Sequence, residues 1–332
     1  MEVYISKQFL ENLDKMSRNS HQNNSDEETI SIIKIKRVLS LLKINSNFSK
    51  EEILSYIDLE GNYTSNSIKE MCLSLALKDG RFNFNNLKFE NIPNNKAFYF
   101  YGELLPDKSN NGLAYFKDVH DIKNFYSKCM VNTRDLKIDD YSIFKKYAPD
   151  CNAMLYIDPY FFGDKDPIKR NKKTDKFISF LNCYLKSNLN IKFHLTILTP
   201  YGEFKKENRK VMPFDEKVFT EAVEKFKKVK NLLFEFRLCD SIRWQNRSIE
   251  QDRIFYTNYT SSFIGHPGTA KTIFGQNFIA RSEDVEDSYR EFLNNLEHWK
   301  KFISNIPETI EGITTRYNNE KFDNRLLENI II

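Results

Sequence analysis

Charged side chains stand at the ends of several apolar runs of this sequence, where they could act on a ligand. Asp158 and Asp240 each follow a run with the character of a buried strand, and Arg253 opens another. In open α/β sheets, ligands bind outside the carboxyl ends of the strands, and an antiparallel strand begins at that same edge. These three residues are therefore predicted to meet in one cleft. The alternative is a structural role, because a buried Arg paired with Asp is often a fixed interior bridge.

A phosphodiesterase or nuclease with a rearranged active site is one hypothesis for this cleft. It would use Asp158, Asp240 and Arg253 together with His266, which lies in a turn that a ligand could reach. A single histidine without an orienting partner is thin support for acid–base catalysis, so no catalytic residue is assigned. No His and Cys pairs have the spacing of metal ligands, and neither a metal nor another cofactor is predicted.

Two basic clusters support the favoured hypothesis, in which a positively charged rim above the cleft binds nucleic acid. Each follows the end of a predicted strand and is interpreted as a loop. The aromatic neighbours Tyr160, Phe161, Tyr201 and Trp244 would add stacking on bases, while the cations would pair with phosphates. A solvated lysine-rich loop accounts for the same pattern. The predicted nucleic-acid-binding cations are Lys165, Lys169, Arg170, Lys172 and Lys173 in the first cluster, and Lys205, Lys206, Arg209 and Lys210 in the second.

Residues 265–272 partly match a phosphate-binding loop, which makes nucleotide binding a further alternative. Gly265, Lys271 and Thr272 fit the pattern, but Ala270 stands where the second Gly belongs. A nucleoside triphosphatase also needs more parallel strands after this loop, one of them ending in a magnesium-binding Asp, and no such run follows. The segment is therefore predicted to be the turn after a hairpin.

The alternation of strand and helix patterns predicts a layered α/β domain over residues 111–332. Strands separated by helices of ten to fifteen residues indicate parallel pairing with right-handed crossovers. A hairpin with an antiparallel strand and a closing amphipathic helix complete the domain. The predicted strands are 153–158, 191–198 and 232–238, the predicted helices are 174–185, 216–229 and 285–303, and the hairpin spans 253–264.

The preceding part of the chain divides into two predicted segments. Residues 1–28 hold a short strand, a short helix and a polar linker, and residues 29–110 hold three helices and a hairpin. Three helices before a hairpin outline a small α+β domain of winged-helix type, whose third helix would enter a major groove. Few cations lie there, so a simple helix-and-hairpin packing unit is the alternative. The residues that would face DNA are Ser65, Asn66, Ser67 and Lys69.

Composition narrows the class of protein. The 332 residues carry a net charge of +4, which is too small to indicate nucleic-acid binding alone. Five widely spaced cysteines predict free thiols. No apolar run has the length of a membrane span and the start lacks a signal-peptide pattern, which predicts a cytoplasmic protein without membrane insertion. Abundant Asn, Lys, Ile and Phe suggest a low-GC bacterial source.

Two short motifs resemble the phospholipase D-like fold over about residues 112–332. They are Ile157-Asp158-Pro159-Tyr160 and the later Asp252-Arg253-Ile-Phe-Tyr-Thr-Asn-Tyr. The second is most similar to the non-catalytic branch typified by the C-terminal domain of MIT-domain proteins, although Gln251 stands where that family usually has His. Active phospholipase D enzymes need a duplicated His-x-Lys motif followed by Asp, which this chain lacks.

The resemblance implies a non-catalytic protein that binds nucleic acid or a protein partner. Bacterial antiviral defence or a mobile-element system is the expected setting.

Overall fold

The computed structural model divides the chain into two compact units. One contains Met1–Met130 with Phe278–Glu291, and the other contains Val131–Asn277 with Phe292–Ile330. Both combine helices with a β-sheet, which confirms the predicted α/β class. The structure describes residues 2–19, 39, 43–52, 80–84, 97–100, 109–118, 121, 150–159, 161–162, 167–201, 215–240, 243–244, 254–258, 260–264, 273–277 and 285–328.

The first unit is built on a parallel sheet in the order β3-β2-β1-β4-β5. The strand order reverses on either side of β1, as it does in doubly wound α/β folds. The strands are β1 (Glu2–Ile5), β2 (Lys43–Ser46), β3 (Phe82–Asn83), β4 (Ala97–Phe100) and β5 (Ala114–Phe116).

The described strands of this unit differ from the predicted winged helix. β3, which was predicted to open a hairpin, pairs in parallel with β2, and β1 lies at the centre of the sheet instead of in a separate segment 1–28. The predicted boundary at residues 110/111 falls between β4 and β5 of this one sheet. Parallel neighbours are distant in sequence, so local patterns do not reveal their pairing. The second hairpin strand and the predicted DNA-facing residues Ser65, Asn66, Ser67 and Lys69 lie outside the described residues.

Two helix starts in this unit follow from local sequence. Helix α1 (Lys7–Asn19) begins after Ser6, whose hydroxyl accepts a hydrogen bond from the backbone N–H of Phe9 at 3.2 Å. At a second helix start, Glu52 N–H donates to Ser49 Oγ at 3.0 Å and Ser49 N–H donates to Glu52 Oε2 at 2.8 Å. This reciprocal capping box satisfies two backbone donors at once.

The second unit is built on a seven-stranded mixed sheet in the order β11-β10-β9-β6-β7-β8-β14. Its centre is parallel, as predicted, and an antiparallel meander extends one side. The strands are β6 (Ala153–Ile157), β7 (Phe193–Pro200), β8 (Leu232–Cys239), β9 (Ile254–Thr257), β10 (Thr260–Ile264), β11 (Ile273–Asn277) and β14 (Arg316–Asn318). A separate hairpin joins β12 (Thr309–Ile310) to β13 (Ile313–Thr314).

One face of this sheet is covered by helices α2 (Pro167–Tyr184) and α3 (Glu216–Lys227), which cross between the parallel strands. The layer of side chains between these two helices and the sheet is mainly aromatic. The ring centroids of Phe226 and Phe236 are 5.4 Å apart, and those of Phe161 and Phe177 are 5.6 Å apart. Tilted and edge-on ring pairs of this kind contribute beyond the area that they bury, so the face is a firm support for α2.

The opposite face packs against helix α4 (Val285–Ser304), from residue 292 onward, and against the end of the chain. Trp299 is buried and donates from Nε1 to the hydroxyl of Tyr256 at 3.3 Å. Phe322 and Leu326 are also buried. Among the described residues, no helix combines the length and apolar character that a membrane crossing requires.

Candidate nucleic-acid interface

Asp158 lies directly after β6, at the carboxyl end of the parallel strands. Its side chain is buried, and Oδ2 accepts a hydrogen bond from the hydroxyl of Tyr156 at 3.1 Å. The ammonium of Lys173, on α2, lies 3.8 Å from the same oxygen. The carboxylate therefore has a cationic partner from the helix above it, which is the arrangement of an interior structural bridge.

Asp240 lies after β8 and caps the turn that follows. Its Oδ1 accepts from the backbone N–H of Arg243 at 2.7 Å, and its Oδ2 pairs with the guanidinium of the same residue. Partial burial would raise the pKa of Asp240, but these hydrogen bonds and the charge of Arg243 hold it below its usual value. The group is thus an ionised local cap.

The predicted cleft is only partly assembled by the described residues. β7 separates β6 from β8, so Asp158 and Asp240 follow strands roughly 10 Å apart. β9 is antiparallel to β6, as predicted, and Ile254 pairs with Ile157, the residue before Asp158. Arg253 and His266 lie outside the described residues. Each described carboxylate has a structural partner of its own, which gives the catalytic alternative no support.

The aromatic residues predicted to stack on bases are placed in the interior where they are described. Tyr201 is 6% exposed and Trp244 is 1% exposed. Burial, with the charges of Glu311 and Asp240, raises the pKa of Tyr201 to about 12. Little ring surface remains for a base at either position. Tyr160 lies outside the described residues.

The first basic cluster is not a loop, because it forms the amino-terminal half of helix α2. The predicted helix began at residue 174, since the preceding turns have few apolar residues to show helical spacing. Pro167 opens the helix, a position where proline sacrifices no hydrogen bond, and Lys and Arg are good helix formers. Lys172 and Lys176 are exposed, whereas Lys173 points to Asp158. Lys165 and the second cluster, Lys205, Lys206, Arg209 and Lys210, lie outside the described residues.

Charge is distributed unevenly along α2. Residues 167–176 carry Lys169, Arg170, Lys172, Lys173 and Lys176, and residues 177–184 carry no charge. The first turn contains no acidic residue, although the helix dipole favours acids there and disfavours cations. The single acid of the basic half, Asp175, is paired with Lys225 of α3 at 2.7 Å. The helix dipole therefore does not explain this placement of cations.

A buried polar cluster that the sequence did not predict lies on the opposite face of the sheet. Glu235 Oε1 lies 2.6 Å from Nε of Arg316, and Oε2 accepts from the hydroxyl of Thr196 at 3.2 Å. Burial raises the pKa of Glu235, even though Arg316 and Arg237 lower it. Arg237 donates to the carbonyl of Ile303 at 2.9 Å. The signal was present in the strand Leu-Leu-Phe-Glu-Phe-Arg-Leu-Cys, where both charges fall on one face.

Residues 315–328, the C-terminal strap, close over this cluster. Asn324 is buried and donates from Nδ2 to the carbonyl of Met154 and to the hydroxyl of Thr196, both at 3.0 Å. Its Oδ1 accepts from the backbone N–H of Leu326 at 2.9 Å. One side chain thus ties the strap to two central strands.

His194 of β7 makes a second set of contacts that hold the strap on the sheet. Nδ1 of His194 accepts from the backbone N–H of Arg325 at 3.3 Å, and its ring centroid lies 4.7 Å from that of Phe322. Burial first, and the charge of Arg325 second, lower the pKa of His194 to about 4. The imidazole is neutral at pH 7, as its acceptor role requires, and it is buried.

Helix α4 contains one His-x-Lys sequence, His298-Trp299-Lys300. Active phospholipase D enzymes need a second copy and a following Asp, whereas Ser304 and Asn305 stand where the Asp would fall. Burial lowers the pKa of His298. The sequence match therefore lies within a packed helix and does not form half of a catalytic pair.

Within the described part of the chain, no three His, Cys, Asp or Glu residues are grouped to hold a metal ion. Residues 265–272, the partial phosphate-loop match, connect the antiparallel strands β10 and β11. A phosphate-binding loop is followed by a helix, and here a strand follows instead. The segment has the hairpin context that the sequence favoured.

Comparisons of the chain with protein-family models, with curated proteins and with solved structures found no match. The functional assignment therefore depends on the residues of this chain.

Proposed function

We propose that the second unit binds nucleic acid through the basic half of α2, without catalysing a reaction on it. The observation that supports the proposal is the concentration of all the cations of α2 in residues 167–176. Lys169 and Arg170 lie in the first turn, where a cation costs about 0.3–1 kcal/mol against the helix dipole. A bound polyanion would turn that cost into a gain, because phosphates are favoured at this end of a helix.

The surroundings of α2 suit this role. Phe177 and Phe180 pack the uncharged half of α2 into the aromatic layer on the sheet, and the helical backbone sets the spacing of the Cα atoms of its cations. Asp175, which would repel a phosphate, is already neutralised by Lys225. Lys172 and Lys176 are exposed on the outer side of the helix, one turn apart.

The scaffold we propose is that of a non-catalytic phospholipase D-like domain. The mixed seven-stranded sheet with helices on both faces supports it, as does the antiparallel hairpin that starts beside the end of β6. Hydrolysis is not part of the proposal, because Asp158 and Asp240 are engaged by Lys173 and Arg243. A bacterial defence or mobile-element setting remains the expected context.

The test compares two triple charge reversals in the purified full chain. One variant is Lys169→Glu/Arg170→Glu/Lys172→Glu on α2, and the matched control places three Glu at the exposed residues Lys217, Lys228 and Lys230 on and just after α3. Binding of labelled DNA and RNA is measured across a salt series. Binding that is salt-sensitive, lost in the α2 variant and kept in the control supports the proposal. Absence of binding at low salt, or equal loss in both variants, would contradict it.

A further inference from the structure

We infer that the basic half of α2 recognises the phosphate backbone of a duplex and does not read or stack on bases. The inference rests on the proposed function and specifies its ligand. The inference follows from the residues around the cations, since binding of phosphates and stacking on bases require different neighbouring side chains. Binding to the phosphates of a duplex needs cations at fixed spacing, whereas single-strand binding combines a positive groove with exposed aromatic rings.

The cations of α2 have the required fixed spacing. Positions 169, 172 and 176 follow one another by one helical turn, so their Cα atoms lie on one side of the helix and span about 10 Å along its axis. Duplex phosphates are held at regular intervals, and a rigid helix can meet two of them without reordering either partner. A flexible single strand would have to be ordered on binding, at an entropic cost.

Among the described residues near α2, the large aromatic side chains are buried, apart from the half-buried Phe162 and Phe219, whose rings pack against each other and against Phe236. Trp244 and Tyr201, which sit at the carboxyl ends of the neighbouring strands, are buried. Phe161 is also buried, with its ring 5.6 Å from that of Phe177. These rings pack in the core, and exposing one of them to bind a base would leave a cavity beneath α2.

Charge density points in the same direction. Duplex DNA presents one phosphate for about every 1.7 Å of its axis, counting both strands. A cationic surface that binds it therefore displaces more counterions into solvent than one that binds a single strand. A surface that works only through charge therefore prefers the duplex. It is also indifferent to sequence, because phosphates are the same at every step.

The experiment uses the full chain, two 20-base-pair DNA duplexes of unrelated sequence, and each of their strands alone. We expect the two duplexes to bind within about twofold of each other, and each strand to bind at least about threefold more weakly than its duplex. For the duplexes, the slope of log affinity against log salt should fall by about 2 in the α2 triple variant, as loss of the phosphate contacts made from positions 169 and 172 requires.

Two outcomes would overturn the inference while leaving the proposed function in place. One is tighter binding of single strands than of duplexes, and the other is a difference of more than tenfold between the two duplexes. Failure of every probe to bind at low salt is a distinct result, which removes the proposed function itself. The α3 control variant should match the wild type in each arm.

Discussion

The ammonium of Lys173 lies 3.8 Å from Oδ2 of Asp158, so one lysine of the basic cluster serves the interior of the protein. Its neighbour Lys172 is exposed. Adjacent residues of the same type are therefore expected to have opposite roles, one in stability and the other in binding.

Substitution should separate these two roles. Lys173→Met leaves a buried carboxylate without its cation and is expected to cost about 1–3 kcal/mol of unfolding free energy. Lys172→Met should change stability by less than about 0.5 kcal/mol and weaken DNA binding. Both Trp residues of the chain, Trp244 and Trp299, are buried in the second unit, so their fluorescence during urea unfolding reports on that unit.

A double-mutant cycle checks the cause. Asp158→Asn should be less harmful in the presence of Lys173→Met than in the wild type, because the two residues share one interaction. Additive effects of the two substitutions would show that the pair is not energetically coupled.

Reversing the first-turn cations should move stability and binding in opposite directions. In Lys169→Glu/Arg170→Glu, acids replace cations where the helix dipole favours negative charge, with an expected gain of about 0.3–1 kcal/mol per position. DNA affinity should fall in the same protein. A variant that is both less stable and weaker in binding would contradict this account, since the binding loss could then follow from unfolding.

Acid should weaken the fastening of the C-terminal strap at His194. The folded-state pKa is about 4, below the ordinary 6.5, so the unfolded chain takes up the proton first as the pH falls. The stability contribution of neutral His194 is therefore complete above pH 6.5 and is lost between pH 6.5 and 4, by about 2–4 kcal/mol. Urea midpoints measured by Trp fluorescence should fall over that range.

Two variants isolate the histidine from Glu235. The pKa of Glu235 is raised, so this group acts in the opposite sense and loses stability as the pH rises above its ordinary value. His194→Asn, which keeps an acceptor for Arg325, should flatten the decline towards acid, and Glu235→Gln should steepen it. An unchanged pH profile in His194→Asn would refute the assignment.

Asn324 is expected to be the most sensitive polar residue of the strap. Asn324→Ala removes hydrogen bonds to Met154, Thr196 and Leu326 and should cost about 2–4 kcal/mol. Lys321→Ala, at an exposed position of the same strap, provides the control and should be nearly neutral. Equal midpoints for the two variants would mean that the strap is not tied to the sheet through Asn324.

Sequence patterns predicted the second unit far better than the first, for physical reasons. β6, β7 and β8 are long apolar runs separated by amphipathic helices, and such runs have few alternatives to a parallel sheet. In the first unit the strands span two to four residues each and pair with distant neighbours, so no local period marks them. The edge strand β14 was missed for the same reason.

Within the site, the sequence identified the cations of α2, but it did not predict their secondary structure or the residues that pack around them. The first turns of α2 resemble a loop in sequence because they have few apolar residues to show helical spacing, although Pro167 marks the start of the helix. Burial of Tyr201 and Trp244, and the pairing of Lys173 with Asp158, depend on tertiary packing that no short motif encodes.

Lysine footprinting of the wild-type protein tests the central claim most directly. The chain is acetylated briefly with and without duplex DNA at low salt, and modification of each lysine is measured by mass spectrometry. The account predicts that DNA protects Lys169, Lys172 and Lys176, while Lys217, Lys228 and Lys230 react as in the free protein. DNA binding with no protection of the α2 lysines, or with protection of the α3 set instead, would contradict it.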